Sequence, residues 1–212
     1  RLTVVAPGRG LAPDARNPTA PGGSFPSGRL GCTSCHDPHG NANIRMLYGA
    51  GPVQNDLFTF TSPAPTAAGI DVAGGPESNG NHTAYQSGMS AWCGNCHGAY
   101  HDGVGSGFEH PGGDSLGTGI SNRYNRYNGD DDPTGGSWDT AYLAAVPFED
   151  PGAATSSTTG ASATSRVICL TCHRAHASSA PRAGRWDFTV ALQRQDGVVS
   201  GSWPFEENYG SP

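Results

Sequence analysis

A chain of 212 residues that is only 35% apolar, with 32 Gly and 17 Pro, is short of material for an ordinary packed core. Its formal charge is −6, and Arg9, Arg16, Arg123, Arg126, Arg182 and Arg185 are scattered rather than gathered in a stripe, which argues against nucleic acid as a partner. No apolar run approaches the roughly 18 residues that span a bilayer, so no membrane-spanning helix is expected.

In chain order, residues 1–31 are rich in Pro, Gly and Arg, with a short strand expected at Leu2–Val5. Cys32-Thr33-Ser34-Cys35-His36 follows, a Cys-x-x-Cys-His signature of c-type haem attachment. Two thiols at this spacing can form thioethers to the two vinyl groups of one porphyrin, and the adjacent His then lies over the iron. Pro38 biases Asp37 away from helix, so His39, between Pro38 and Gly40, is expected on a turn. Residues 41–81 read as irregular, with a strand at Asp56–Thr61.

The second signature, Cys93-Gly94-Asn95-Cys96-His97, falls on a helix expected over Gln86–His101. Around it lie His82, His101 and, in the turn sequence Glu109-His110-Pro111, His110. Asp130, Asp131 and Asp132 match no complete calcium-loop spacing and read as a solvated turn. Residues 151–165 are a Ser/Thr/Ala tract, read as an exposed linker or an O-glycosylated segment. The third signature, Cys169-Leu170-Thr171-Cys172-His173, sits on a helix expected over Ser165–Ala177. There Cys169, Cys172, His173 and His176 would share one face, covered by haem. Trp92, Trp138, Trp186 and Trp203 read as haem-packing or core residues.

The three signatures consume all six cysteines. A structural zinc site needs four Cys/His ligands in paired arms, and a redox dithiol does not explain a His after every pair. Three c-type haems are the expected cofactors, with Cys32, Cys35, Cys93, Cys96, Cys169 and Cys172 as attachment points and His36, His97 and His173 as proximal ligands. Five of the eight histidines remain, against two methionines, Met46 and Met89, so His ligation on both sides of every iron is the economical assignment. The distal candidates are His39, His176, His82 and His110, with His101 behind them.

A porphyrin lies between its two axial ligands, and a tether of three residues cannot pass around that plane. His39 and His176 are therefore barred from the haems of their own motifs, as His101 is from the haem of the second. His82 has chain enough to reach round the middle haem. Irons closed on both sides bind no substrate and pass electrons, so an electron-transfer protein rather than an enzyme is expected. The fold expected is mostly irregular, with a few short α-helices and minor strands: a single haem-cored, trihaem domain over 1–212 that does not form without its cofactors. The chain begins at Arg1 rather than Met, consistent with a removed leader, and covalent haem attachment implies export to a periplasm or beyond.

The contexts of the motifs carry a family resemblance. The run Cys32 to Gly40, the run Gly88 to His101 with Glu109-His110-Pro111, and the run Val167 to Ala177 resemble multihaem c-type cytochromes of metal-reducing and syntrophic microbes. Among these they are most similar to secreted members that polymerise into extracellular filaments. The resemblance implies bis-His haems in a continuous stack, with one distal ligand often donated by the next subunit. It also implies other copies of the chain, a donor cytochrome at the membrane and an extracellular acceptor as partners. A monomeric periplasmic electron shuttle is the nearest alternative, and a multihaem reductase with one open iron is a further one.

Overall fold

A chain this rich in Gly and Pro supports only short elements between turns, and the computed structural model has that form. It describes residues 17–54, 56–70, 72–76, 78, 81–101, 110–128, 134–140, 146–153, 160–176, 181–185 and 188. Among these the helices are α1 (Cys32–Cys35), α2 (Met89–His101), α3 (Gly117–Arg126) and α4 (Cys169–Cys172). The strands are β1 (Gly51–Val53), β2 (Phe58–Phe60), β3 (Thr66–Ala68) and β4 (Ala84–Ser87), in two sheets of two. No helix of the described residues is long and apolar enough to cross a membrane. Two units emerge, one of Arg1–Thr66 with Gly88–His110 and the other of Ala67–Ser87 with Pro111–Pro212.

The first unit is built on an aromatic ladder. β1 and β2 form an antiparallel hairpin with Gly51 opposite Phe60 and Val53 opposite Phe58. Its turn is tight enough to force Gln54 and Asp56 to φ values of 52° and 65°. Phe25, Phe58, Phe60 and Trp92 meet edge to face in succession, at centroid separations of 5.0, 6.1 and 5.9 Å. Trp92 also donates its indole N–H to the Tyr48 carbonyl at 2.8 Å, which ties α2 to the segment after the first motif. Phe25, Leu47, Val53, Phe60 and Met89 are buried in this unit.

In the second unit β3 pairs with β4, and Glu149 and Arg166 exchange backbone hydrogen bonds of 2.9 and 2.8 Å. Asn125 of α3 grips the Ala161 backbone from both sides, donating to its carbonyl and accepting from its N–H. Ala161 and Ser165 are buried, so residues 160–165 are part of the packed structure rather than an exposed linker. Residues 154–159 of that tract, Leu2–Val5, Asp130–Asp132, Trp186 and Trp203 lie outside the described residues. Trp138 is 42% exposed and is no part of the polypeptide core.

Three sequence expectations need correction. The helix expected over Ser165–Ala177 is one turn, Cys169–Cys172. Its flanks are claimed by strand-like pairing: Arg166 by Glu149, Val167 by Asp114, and His173 by a bridge to Gly184. His173 is consequently extended, at φ −118° and ψ 161°, and the shared helical face of Cys169, Cys172, His173 and His176 does not exist. The helix expected from Gln86 starts at Met89, because Gln86 is in β4 and Gly88 turns the chain at φ 87°. Finally, 41–81 is less irregular than expected, since β1 supplies the partner of the Asp56–Thr61 strand, itself trimmed to Phe58–Phe60.

Candidate haem-attachment sites

The first and third motifs are the same local machine built twice. In each, the two cysteines bound a single helical turn, and the following His leaves it in extended conformation while donating its backbone N–H to the first Cys, His36 to Cys32 and His173 to Cys169. The residue before the second Cys carries a hydroxyl that caps the turn: the Gly31 N–H donates to Ser34 Oγ at 2.9 Å, and the Ile168 N–H to Thr171 Oγ1 at 3.0 Å. Each hydroxyl also donates outward, Ser34 to the Arg29 carbonyl at 2.8 Å and Thr171 to the Pro147 carbonyl at 2.6 Å. Both hydroxyl-bearing residues are buried, and neither was singled out from the sequence.

Downstream the correspondence continues. The residue after His closes on a return loop, Asp37 N to Met46 O at 2.9 Å and Arg174 N to Ala183 O at 2.7 Å. The second Cys carbonyl is reached by the backbone N–H of Tyr48 in one case and Arg185 in the other, at 3.0 and 2.8 Å. Each return loop carries two successive non-glycine residues in the left-handed region, Arg45 and Met46 in the first, Arg182 and Ala183 in the third. Such residues are strained and persist only where surrounding bonds hold them. They bend the chain so that a carbonyl nine positions after His faces the ring: His36 Nδ1 lies 2.8 Å from Arg45 O, and His173 Nδ1 lies 3.1 Å from Arg182 O.

The second motif reaches the same end by another route. It lies within α2, which loses helical geometry at His97, where φ is −120° and ψ 40°. The ring is held by a strap 76 positions earlier: His97 Nδ1 lies 2.8 Å from Pro21 O. The Ala99 N–H donates to Gly22 O at 2.8 Å, and a Cβ on Gly22 would meet the Tyr100 ring at 3.1 Å. A Cβ on Gly23 would fall 1.8 Å from the Cys96 carbonyl oxygen, so only glycine allows the strap to lie against the motif. Asn95, between the two cysteines, accepts from the Thr61 and Ser62 N–H groups at 2.8 and 2.9 Å and seats the helix on the end of the hairpin.

The chemistry of this donor set is consistent across all three motifs. A carbonyl oxygen only accepts, so each Nδ1 must be the protonated ring nitrogen, and Nε2 is left as the lone-pair donor toward a metal. Cysteine is ordinarily among the most buried residue types, yet here Cys32 is exposed and the other five are only half-buried. Burial first, and the neighbouring Cys32 second, push the Cys35 thiol up; burial, then Cys35, push Cys96 to about 12. Burial also raises Cys172, against a lowering by Arg185. Thiols held protonated are poor thiolate nucleophiles, the reverse of a redox dithiol. Trp92, next to Cys93, donates to the carbonyl of Tyr48, whose N–H binds the Cys35 carbonyl, so the first two motifs lie side by side within the first unit.

The remaining histidines distribute unevenly. His39 stands exposed on the expected turn, its N–H donating to Asp37 Oδ1 at 2.9 Å. His176 is likewise exposed, and so is His101, whose side chain lies against Gly94 of the second motif. His110 packs on Tyr100 at 5.1 Å between centroids, and Tyr100 in turn stacks on His97 at 6.4 Å, so His110 stands on the proximal side of the second motif. His82 is the most deeply set, at 6% exposure, and belongs to the second unit with the third motif rather than with the second. Met46 is exposed and Met89 buried.

Comparison with known proteins shows what the chain is similar to. A family described as "Doubled CXXCH motif" matches residues 26–57, the first of the twin modules. Together with three attachment signatures in a loop-rich fold, this match makes the chain similar to multihaem c-type cytochromes. The particular relative is the C-type cytochrome OmcS of Geobacter sulfurreducens, to which the chain is homologous, with 31% identity over 257 residues, 95% of this chain and 59% of that protein. Two solved structures from the same organism share the fold. The Outer Membrane Cytochrome S filament matches with TM-score 0.66 and 31% identity over 82% of this chain and 56% of that one. The OmcS nanowires match with TM-score 0.67 and 30% identity over 84% and 56%. The chain thus spans a little over half the length of these relatives.

Proposed function

We propose that the chain transfers electrons through three covalently attached c-type haems, each iron held between two imidazoles, as a subunit of an extracellular filament. The observation that supports this reading is the repeated Nδ1–H to carbonyl bond, which would make Nε2 of His36, His97 and His173 the ring atom that holds an iron. Bound haem would supply a one-electron ferric/ferrous couple. The polypeptide's part is to hold the ligands and exclude other chemistry. Cys32 with Cys35, Cys93 with Cys96, and Cys169 with Cys172 would anchor the three macrocycles, whose flat faces would cover the half-exposed thiols.

For the distal positions we assign His39 to the haem of the second motif, which is its neighbour within the first unit. His82 we assign to the haem of the third motif. It lies two residues before β4, whose Tyr85 carbonyl accepts from Asp150 N–H, three residues beyond the Pro147 carbonyl that binds Thr171 inside that motif. The first haem takes its second ligand from His101 or His110 of the same unit, and the one left over, with His176, is available to a haem of another copy. On this reading 1–212 functions as one trihaem domain, fed by a membrane cytochrome donor and discharging to an extracellular acceptor. Homology to a protein solved as a filament supports self-assembly as against a soluble periplasmic shuttle.

Intact mass and near-infrared magnetic circular dichroism of the exported protein test this together. The expected result is the mass of three haems with a low-spin bis-imidazole band; fewer haems, or a high-spin ferric component pointing to a reductase, would overturn it. Electron microscopy of the same material should show filaments. Discrete particles at every concentration would leave the electron chemistry standing and remove the polymer.

A further inference from the structure

The twin modules invite a comparison that neither alone permits, because their backbone bonds are in the same register and only side chains differ. One position after the proximal His, the first module has Asp37 and the third has Arg174, each closing on its return loop through its own N–H. Twelve positions after the proximal His, where the backbone N–H binds the second Cys carbonyl, the first module has Tyr48 and the third Arg185. Arg45 and Arg182, whose carbonyls face the rings of His36 and His173, occupy the same backbone place in both. One module therefore carries a carboxylate and a neutral phenol where the other carries two guanidinium groups.

The third-module charge is held in place. Arg185 Nε donates to the Leu170 carbonyl at 2.6 Å, so the side chain crosses the motif between its two cysteines while the Arg185 N–H binds the carbonyl of the second. In the first module the nearby charge has the opposite sign: Asp37 acts on Tyr48 and adds to the burial that keeps its phenol neutral.

We infer that Arg174 and Arg185 raise the reduction potential of the third haem above that of the first, where Asp37 and Tyr48 stand instead, so that the chain holds a built-in electron sink at its third motif. This rests on the bis-imidazole reading above. The step involved is one electron passing from a neighbouring ferrous haem to the ferric third haem, with no bond made or broken and no proton moved. A fixed cation in partly desolvated surroundings favours the centre that has gained negative charge, and a fixed carboxylate disfavours it.

Spectroelectrochemical titration of the haem-loaded protein tests the inference, with haem content and the low-spin band measured on each preparation. In Arg185→Gln, and more so with Arg174→Gln added, one third of the haem absorbance should titrate at lower potential than in the parent; Arg185→Lys should stay near the parent. Asp37→Asn, which keeps the oxygen that accepts from His39 N–H, should move a different third upward, and it serves even if the arginine variants do not accumulate. Three low-spin haems with unmoved midpoints, or a Lys variant shifted as far as the Gln variant, would refute this inference alone. A preparation lacking three low-spin haems refutes the functional reading beneath it.

Discussion

The twin modules and the second motif solve one problem in two ways. In the twins, the carbonyl that orients the proximal ring comes from a return loop nine positions on, so each module is nearly self-sufficient. In the second motif it comes from a Pro-Gly-Gly strap in a distant part of the chain, pressed against the Cys96 backbone. Local orientation costs strained residues, such as Arg45 and Arg182 in left-handed conformation, whereas remote orientation costs the ordering of a long intervening loop. The lesson is that Cys-x-x-Cys-His specifies attachment but leaves the orientation of the ring to the surrounding chain.

The widest break in the comparison is removal of haem, which should erase the difference between the routes. Material made without covalent attachment is expected to lose nearly all cooperative unfolding in circular dichroism, because few of the described residues are buried by polypeptide alone. A cooperative transition matching the loaded protein would contradict this. Next, Gly23→Val should disturb the second motif selectively. The added carbon cannot coexist with the Cys96 carbonyl, so destabilisation of about 3 kcal/mol or more is expected in denaturant unfolding. Gly31→Ala, at the start of the first module, meets open space in an extended conformation and should stay within about 0.5 kcal/mol. Equal effects from the two glycines would deny the strap its role.

The finest comparison is within the twins. Ser34→Ala and Thr171→Val each delete a buried capping hydroxyl and leave a backbone N–H unsatisfied, for an expected loss of about 1–3 kcal/mol. If the modules are equivalent in energy as well as in register, the two losses should agree to within about 1 kcal/mol, a margin set by the added contact of Ser34 with Gln54. A loss confined to one of them would show that the likeness is geometric only.

Much of the site was legible because its chemistry is written in consecutive residues. The three motifs whose cysteines and histidines are the candidate attachment points and ligands, and the turn presenting His39, all follow from local spacing and from Pro38. The return loops were not legible, since the modules share little beyond Cys-x-x-Cys-His-x-x-His and an arginine nine positions after the proximal His (Arg45, Arg182). That shared arginine was the available signal. The helix over 165–177 failed because pattern alone cannot see Glu149 and Gly184 claiming the backbone on either side of Cys169–Cys172. β1 was missed because Gly51-Pro52-Val53 has no strand signature of its own and exists through Phe58–Phe60. The strap was out of reach for the same reason: Pro21-Gly22-Gly23 announces a turn but not its distant companion.

The carbonyl partners of His36, His97 and His173 have one more effect. A peptide oxygen, unlike a carboxylate, is too weak a base to take the ring's hydrogen, so it fixes Nδ1 as the N–H and Nε2 as the lone-pair nitrogen in each ring. In the proposed role, a haem held there would gain or lose its electron without that ring giving up its proton.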